Sequence, residues 1–385
     1  MLTTIPPDPS CLRPAISAPM SDAVPAALLT SSPCVLVVGT GSVGRRHISN
    51  LLGLGVRVLA YSYRAAEGLT PGQAQAPAPL PAEVERVSDW SLALPRVQAV
   101  VVANRTDQHL AVATAAAKAG RALFIEKPLG IGMEGVADLQ RLVAAQGLVV
   151  EAGFMLRTHP NLSWMRQALA QGCIGEVFHA RAAVGQWLPD WRPGTDHRQG
   201  YGAFRATGGG VIFDLVHELD LVQWLLSPAV DVVALCRQVP ALDIETEAVA
   251  QIGLRLSDAA LAQVHLDYVR PGYGRHFEVV GRTGVLSWDY VQGTVTLERA
   301  SGERQEVHRL PADFQRNDMF VRHMAHFLER VQGSGALPIS PLDEAVSVLR
   351  VALAAHRSNL ERRSIDPRTL TAESSPVPSP GGSVE

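Results

Sequence analysis

The chain has 385 residues, 47% of them hydrophobic and 18% charged, with a formal net charge of −3. That length holds two domains, each with a sizeable core. The balance gives no electrostatic reason for a nucleic-acid or membrane-surface partner, and no apolar run approaches the ~20 residues that span a bilayer.

Cys11, Cys34, Cys173 and Cys236 are scattered. Their spacing argues against a disulfide framework and against a metal site, and a reduced, cytoplasmic compartment is the simple reading. Lysine and arginine total 34, yet only Lys118 and Lys127 are lysines. An ammonium can shift its pKa when buried and a guanidinium cannot, so the rare lysines draw attention, although biased codon usage would leave the same pattern.

Residues 1–33 are rich in Pro, Ser and Ala and lack the basic start and apolar core of a signal peptide, so they read as a disordered extension. Met20 would also serve as a start, which puts residues 1–19 in question. From Cys34 to about Ala152, short apolar strands alternate with helical stretches: CVLVVG, HISNLLGLG, VRVLAYSY, QAVVVAN, HLAVATAAAKAG, ALFIEK, ADLQRLVAAQG and LVVEAG. That alternation predicts βαβ units on a buried parallel sheet, a doubly wound α/β domain over 34–152, interrupted by the Pro/Ala-rich loop 71–83.

The first strand runs into Gly39-Thr-Gly41-Ser42-Val43-Gly44 and a helix. One glycine permits the tight turn, one lets backbone approach a pyrophosphate, and one lets helix pack on strand. With a strand before it and a βαβ unit closing behind, the loop predicts dinucleotide binding; a purely structural glycine turn is the alternative. The second strand ends Tyr61-Ser62-Tyr63-Arg64, with no carboxylate before Glu67 to hold a ribose 2′-hydroxyl. Ser62 and Arg64 would suit a 2′-phosphate, so NADP is favoured over NAD, unless Arg64 stacks on adenine or faces solvent.

Strand ALFI ends in Glu126-Lys127-Pro128, where ligands of an open α/β sheet gather. Taken alone the tripeptide would more often be surface charge. From about Phe154 to 365 the strands lengthen and alternate, as in VFHARAAVGQWL, EAVAQIGLRL and ALAQVHLDYV, predicting an antiparallel or mixed sheet of six or more strands with helices at about 160–172, 211–226, 316–332 and 341–360. Within it, Gly208-Gly-Gly leads to Asp214-Leu-Val-His217. A hydride transfer that forms a carbonyl must remove a hydroxyl proton, which histidine can accept near neutral pH. Helical spacing of three would put Asp214 on the same face, to orient the ring or hold a substrate hydroxyl. A helix-start aspartate beside a half-buried histidine is the bland alternative. The tail from 366 to 385 reads as disordered.

In order, GTGSVGRRHISNL, NRTDQH, LFIEKPL, GFMLRTHP and GGGVIFDLVHELD resemble the glucose–fructose oxidoreductase / inositol dehydrogenase / MocA family over roughly residues 34–365. The resemblance implies a Rossmann domain, a C-terminal α+β domain with a large, mostly antiparallel sheet, a helix at about 341–360 packing near the Rossmann domain, NAD or NADP, and sugar or polyol substrates. It implies Lys127 at the substrate hydroxyl and nicotinamide, His217 as proton carrier with Asp214 as its partner, Asn104 and His109 bordering the cofactor, and Glu126 beside the nicotinamide ribose. Two residues rather than the family's usual three separate Asp214 from His217, so alignment on His217 and Asp220 is the firmer match.

GQWLPDWRPGTDHRQGYGAFRATGGG further resembles a subgroup linked to surface-sugar and nonulosonic-acid pathways. There Trp191, Arg198 and Tyr201, joined by Arg157, would hold an acidic or nucleotide-bearing sugar. An interdomain loop with core aromatics and solvated arginines explains the same residues. The family also contains NAD-dependent glycosidases with retained cofactor and ligand-sensing members without turnover. It implies a homodimer or homotetramer through the outer face of the large sheet.

Overall fold

The computed structural model describes residues 33–63 and 79–372. The expectations for residues 1–32, for 64–78 including Arg64 and Glu67, and for 373–385 lie outside the described residues.

The first half forms one parallel sheet. Its strands are β1 (Cys34–Val38), β2 (Arg57–Tyr61), β3 (Glu85–Arg86), β4 (Ala99–Val102), β5 (Ala122–Ile125) and β6 (Val150–Ala152), ordered β3-β2-β1-β4-β5-β6. Val37 lies opposite Ala60 on one side and Val101 on the other. The order reverses at β1, so the crevice beyond β1 and β4 is the switch point where such sheets take their ligands. CVLVV is apolar throughout because both faces are covered. Val35 and Val37 pack with Ile48 and Leu51 of α1 (Ser42–Gly53), while Leu36 and Val38 share a core with Leu94, next to the one-turn helix α2 (Trp90–Ala93), with Val112 and Ala116 of α3 (His109–Lys118), and with Leu139 of α4 (Val136–Gln146).

The second sheet has eight strands: β7 (Val177–Gly185), β8 (Ala229–Arg237), β9 (Val249–Leu256), β10 (Leu261–Asp267), β11 (Gly274–Gly281), β12 (Gly284–Asp289), β13 (Thr294–Arg299) and β14 (Arg304–Arg309). Their order is β14-β13-β12-β11-β7-β10-β9-β8, antiparallel except where β10 runs parallel to β7. Alternation in β9 sends Ala250, Ile252 and Leu254 into the core and leaves Gln251 and Arg255 exposed. The helix α5 (Pro160–Ala170) lies against β12–β14. The opposite face leaves Val233, Leu235 and Leu261 exposed.

The helical stretch expected at 211–226 is two helices, α6 (Val211–Asp214) and α7 (His217–Leu225), parted where Leu215 leaves helical geometry at φ −102°, ψ 27°. After β14 the chain returns to the first sheet. Met324, Phe327 and Leu328 of α8 (Arg316–Val331) complete the core around Val35, Val37 and Ile48. The last helix, α9 (Leu342–Glu361), lies mainly along β8. Division by chain order therefore misplaces α8, which covers the nucleotide-type sheet. The fully buried Glu151 of β6 ties this return in place, accepting from Arg330 and from the Ser340 N–H, each at 2.8 Å. Burial pushes its carboxyl up, but His323, Ser340 and Arg330 outweigh that and hold it at about 2. Order also persists past Asp366, where Pro367 and Leu370 are buried.

Candidate active site

At the end of β1 the chain turns through Gly39 at φ +103°, where a Cβ would run into Ala103 O and Asn104 N. A Cβ on Gly44 would strike Gly39 O. Gly41 is different: a Cβ there meets nothing within 4 Å, and no side chain caps α1. The first-turn N–H groups after Gly41, at Ser42, Val43 and Gly44, therefore combine with the positive end of the helix dipole next to open space, a fit for a pyrophosphate. Nearby, Thr40 Oγ1 donates to Ser62 Oγ at 2.9 Å, fixing the end of β2 against the loop.

Two histidines bracket Lys127. Before it, the buried Glu126 carboxylate lies 2.7 Å from His47 Nε2 of α1 and also accepts the Lys127 backbone N–H at 3.3 Å. Burial pushes Glu126 up, while His47 and Lys127 pull it below the ordinary carboxylate range. After it, His109 Nδ1 lies 2.8 Å from Pro128 O, and His109 Nε2 lies 3.1 Å from Asn104 O. Burial lowers the His109 pKa. A neutral ring donates only once, and the shorter contact goes to the peptide after Lys127. The Lys127 Nζ donates to the backbone carbonyl of Asp214 at 2.6 Å, joining the two sheets' segments. Burial lowers its pKa, with Asp214 and Glu126 opposing.

The expected pairing of Asp214 with His217 is corrected here. Residues three apart share a face only in a continuous helix, and the break at Leu215 removes that relation. The Asp214 carboxylate instead accepts from Tyr201 OH at 2.9 Å and Tyr268 OH at 2.7 Å. Its charge and burial raise Tyr201; burial and the same charge raise Tyr268, so both phenols stay protonated. His217 is buried at the start of α7, edge-on to Phe154 at 5.9 Å, with Nδ1 unpartnered. Burial, then the charges of Lys127 and Arg275, push its pKa well down, leaving a neutral base.

Of the other expected contacts, Tyr201 enters the cluster and Trp191 stacks edge-on to Tyr268 at 5.2 Å. Arg157 does not reach it as a ligand-binding group. Its side chain is 1% exposed and is taken up by Asp220 Oδ1 at 2.5 Å and by Glu344, pinning α7 to α9. Arg198 is likewise committed elsewhere, to Asp196 at 2.8 Å and Asp243 at 3.6 Å. Sequence reasoning missed His47, Tyr268 and the buried Glu218–Arg275 pair at 2.7 Å. Tyr268 is 54 residues from its partner, with no local signal. His47, three residues past Gly44 on the inner side of α1, had one in helical spacing.

Among the described residues no helix is long and apolar enough to cross a membrane, and no group of three or more His, Cys, Asp or Glu is placed to hold a metal ion. Residues 34–154 match the oxidoreductase family with an NAD-binding Rossmann fold, and residues 163–287 match the GFO/IDH/MocA C-terminal domain. The chain is 30% identical over 269 residues to 1,5-anhydro-D-fructose reductase of Ensifer adhaerens, covering 68% of this chain and 77% of that one. It is 31% identical over 310 residues to inositol 2-dehydrogenase 1 of Saccharopolyspora erythraea, covering 72% and 79%. A levoglucosan dehydrogenase solved with NADH and levoglucosan shares the fold, with TM-score 0.73 at 18% identity over 87% of this chain and 99% of that one. Both halves match in order around one cradle and one lysine, and the chain belongs to the GFO/IDH/MocA family of NAD(P)-dependent oxidoreductases.

Proposed function

We propose that the protein oxidises or reduces one hydroxyl or carbonyl carbon of a sugar, polyol or sugar derivative, with Lys127 and His217 handling the proton. The observation that carries this reading is the Lys127 ammonium held at 2.6 Å from Asp214 O, in the crevice beside a buried, neutral His217. The nicotinamide, when bound, supplies or accepts the hydride. The remaining N–H groups of Lys127 hydrogen-bond the reacting oxygen and favour its negative charge. His217 accepts the hydroxyl proton in oxidation and returns it in reduction. Asp214, held by two tyrosines, positions Lys127 through its main chain, so it is a positioning residue. Tyr201 and Trp191 wall the substrate side.

The relatives' names, anhydrofructose reductase and inositol dehydrogenase, support the substrate class. Ser62 at the end of β2, with no carboxylate before Glu67 in the sequence, supports NADP over NAD. The apolar outer face of the second sheet supports a homodimer or homotetramer, and the scattered cysteines favour a reduced, cytoplasmic compartment.

Titration with NADP(H) and NAD(H), followed by turnover assays on polyols and sugars, tests this. Lys127→Met and His217→Ala are expected to lose turnover by about 10²-fold or more while cofactor affinity stays within about threefold. A Lys127→Met enzyme with normal turnover overturns the assignment. Product release without net change in NAD(P)H would instead indicate hydrolysis with a retained cofactor.

A further inference from the structure

A cavity of about 290 Å³ shares none of its lining with the Lys127–Asp214–His217 site. It lies behind the Gly208–Asp214 segment, lined by Gly209 and Phe213 from that segment, by Glu247, and by His356, Asn359 and Leu353 of α9. Its size is at the small end of ligand pockets, about 300–1,000 Å³.

Two deep groups in this wall are chemically unfinished. His356 Nε2 is buried with no hydrogen-bond partner. It stands 3.9 Å from Glu247 Oε1, too far for a direct hydrogen bond, yet one oxygen beside them could bond to both. Burial holds the imidazole neutral, with Glu247 opposing. Asn359 spends its Oδ1 on the Cys236 N–H at 2.8 Å, which leaves its NH₂ as a further donor.

The two buried groups ask for different things. In the tautomer with its proton on Nε2 the imidazole donates while the carboxylate accepts, and a hydroxyl meets both demands at a single oxygen. An anionic oxygen would meet the Glu247 charge. Arg205 at the rim adds a positive charge of its own, and its guanidinium reaches the Glu245 carbonyl at 3.3 Å. With one charge of each sign around it, the cavity favours a neutral ligand.

We propose that this cavity is a second binding site, for a neutral polyhydroxylated molecule of about monosaccharide size, with one hydroxyl shared by His356 and Glu247. The site also reaches the catalytic segment. Glu247 O accepts the Val211 N–H at 3.1 Å, and Glu247 Oε1 accepts the Ile212 N–H at 3.2 Å, two residues before Asp214. Glu247 is therefore part of both the cavity wall and the backbone turn that precedes the Lys127 acceptor. The inference does not depend on which substrate the active site takes.

Methyl NMR on the full chain with ¹³C-labelled leucines tests it, using glycerol, D-glucose and myo-inositol as probes. The methyl signals of Leu353 and of Leu360, which also lines the cavity, are expected to shift saturably, at millimolar concentration, with at least one probe. His356→Phe and Glu247→Gln should each weaken that binding tenfold or more, with NAD(P)H binding retained as proof of folding. Lys127→Met should leave it unchanged. Methyls that stay fixed with all three probes overturn the proposal, as do shifts that only grow linearly towards molar concentration. Saturation unchanged in His356→Phe, or lost in Lys127→Met, overturns it as well.

Discussion

Asp214 does two jobs with two different groups: its carbonyl receives the Lys127 ammonium and its carboxylate receives two phenols. Removing one hydrogen bond to an ionised carboxylate costs about 1.5–3 kcal/mol. Tyr268→Phe is therefore expected to lower kcat by about tenfold or more, with a smaller change in KM, because substrate need not touch Tyr268. An unchanged kcat would show that Tyr201 alone fixes Asp214. The depressed His217 pKa makes a second prediction. Oxidation needs the neutral ring, so its rate stays level as pH falls through ~6.5, the ordinary histidine value, and declines only well below it. A kinetic limb at or above 6.5 assigned to His217 by its loss in His217→Gln would contradict the buried, neutral base. Lys127 and His217 stand out in the sequence as candidates because each sits in a local motif. The phenols on Asp214 were not, since Tyr268 arrives from β10 and only the folded sheet brings it there.

Among elements, the glycine loop separates fold from binding. Gly44→Ala places a methyl against Gly39 O, backbone against backbone, so α1 must move off β1. Lower Tm and lost cofactor binding are expected together. Gly41→Ala finds open space instead. It should keep Tm within a few degrees and still weaken NAD(P)H binding about tenfold, since its methyl occupies the approach of the pyrophosphate; equal losses in both variants would refute this division. The strands and helices of the first half were readable because a parallel sheet buried on both faces writes uninterrupted apolar runs. The helix pair α6–α7 was not. Its apolar spacing is continuous, and at the break the Asp214 carbonyl accepts from Lys127, far away in the chain, while the Glu218 N–H goes to Leu215 O.

For the molecule as a whole, acid is the predicted weakness. His159 is fully buried among Trp288, Tyr290 and Phe314 at 5.1–5.7 Å, and neither ring nitrogen has a partner. Burial, reinforced by Arg275, His308 and Arg322, pushes its pKa to about 3. The folded pKa lies below the unfolded one, so the neutral ring costs nothing above ~6.5. Stability then falls by up to about 1.4 kcal/mol per pH unit as pH drops from there towards 3. His159→Leu should flatten the dependence of unfolding free energy on pH between 6.5 and 4.5, measured by denaturant titration, whatever it does to stability at pH 8. An unchanged slope would place the acid sensitivity elsewhere. At the exposed sheet face, Leu235→Arg is expected to lower the oligomeric mass seen by light scattering, and an unaltered mass would remove that face as the interface.

The return of α8 to the first sheet bears on how such a chain can be cut or recombined. A nucleotide-binding half excised at residue 152 would lack Met324, Phe327 and Leu328, which fill the space against Val35, Val37 and Ile48. That fragment should expose a greasy flank and behave as a sticky, poorly ordered polypeptide. A cofactor cassette transplanted into a relative would have to carry Arg316–Val331 with it, as a non-contiguous second piece. Recombination at the apparent midpoint of the chain would separate a wall from the room it encloses.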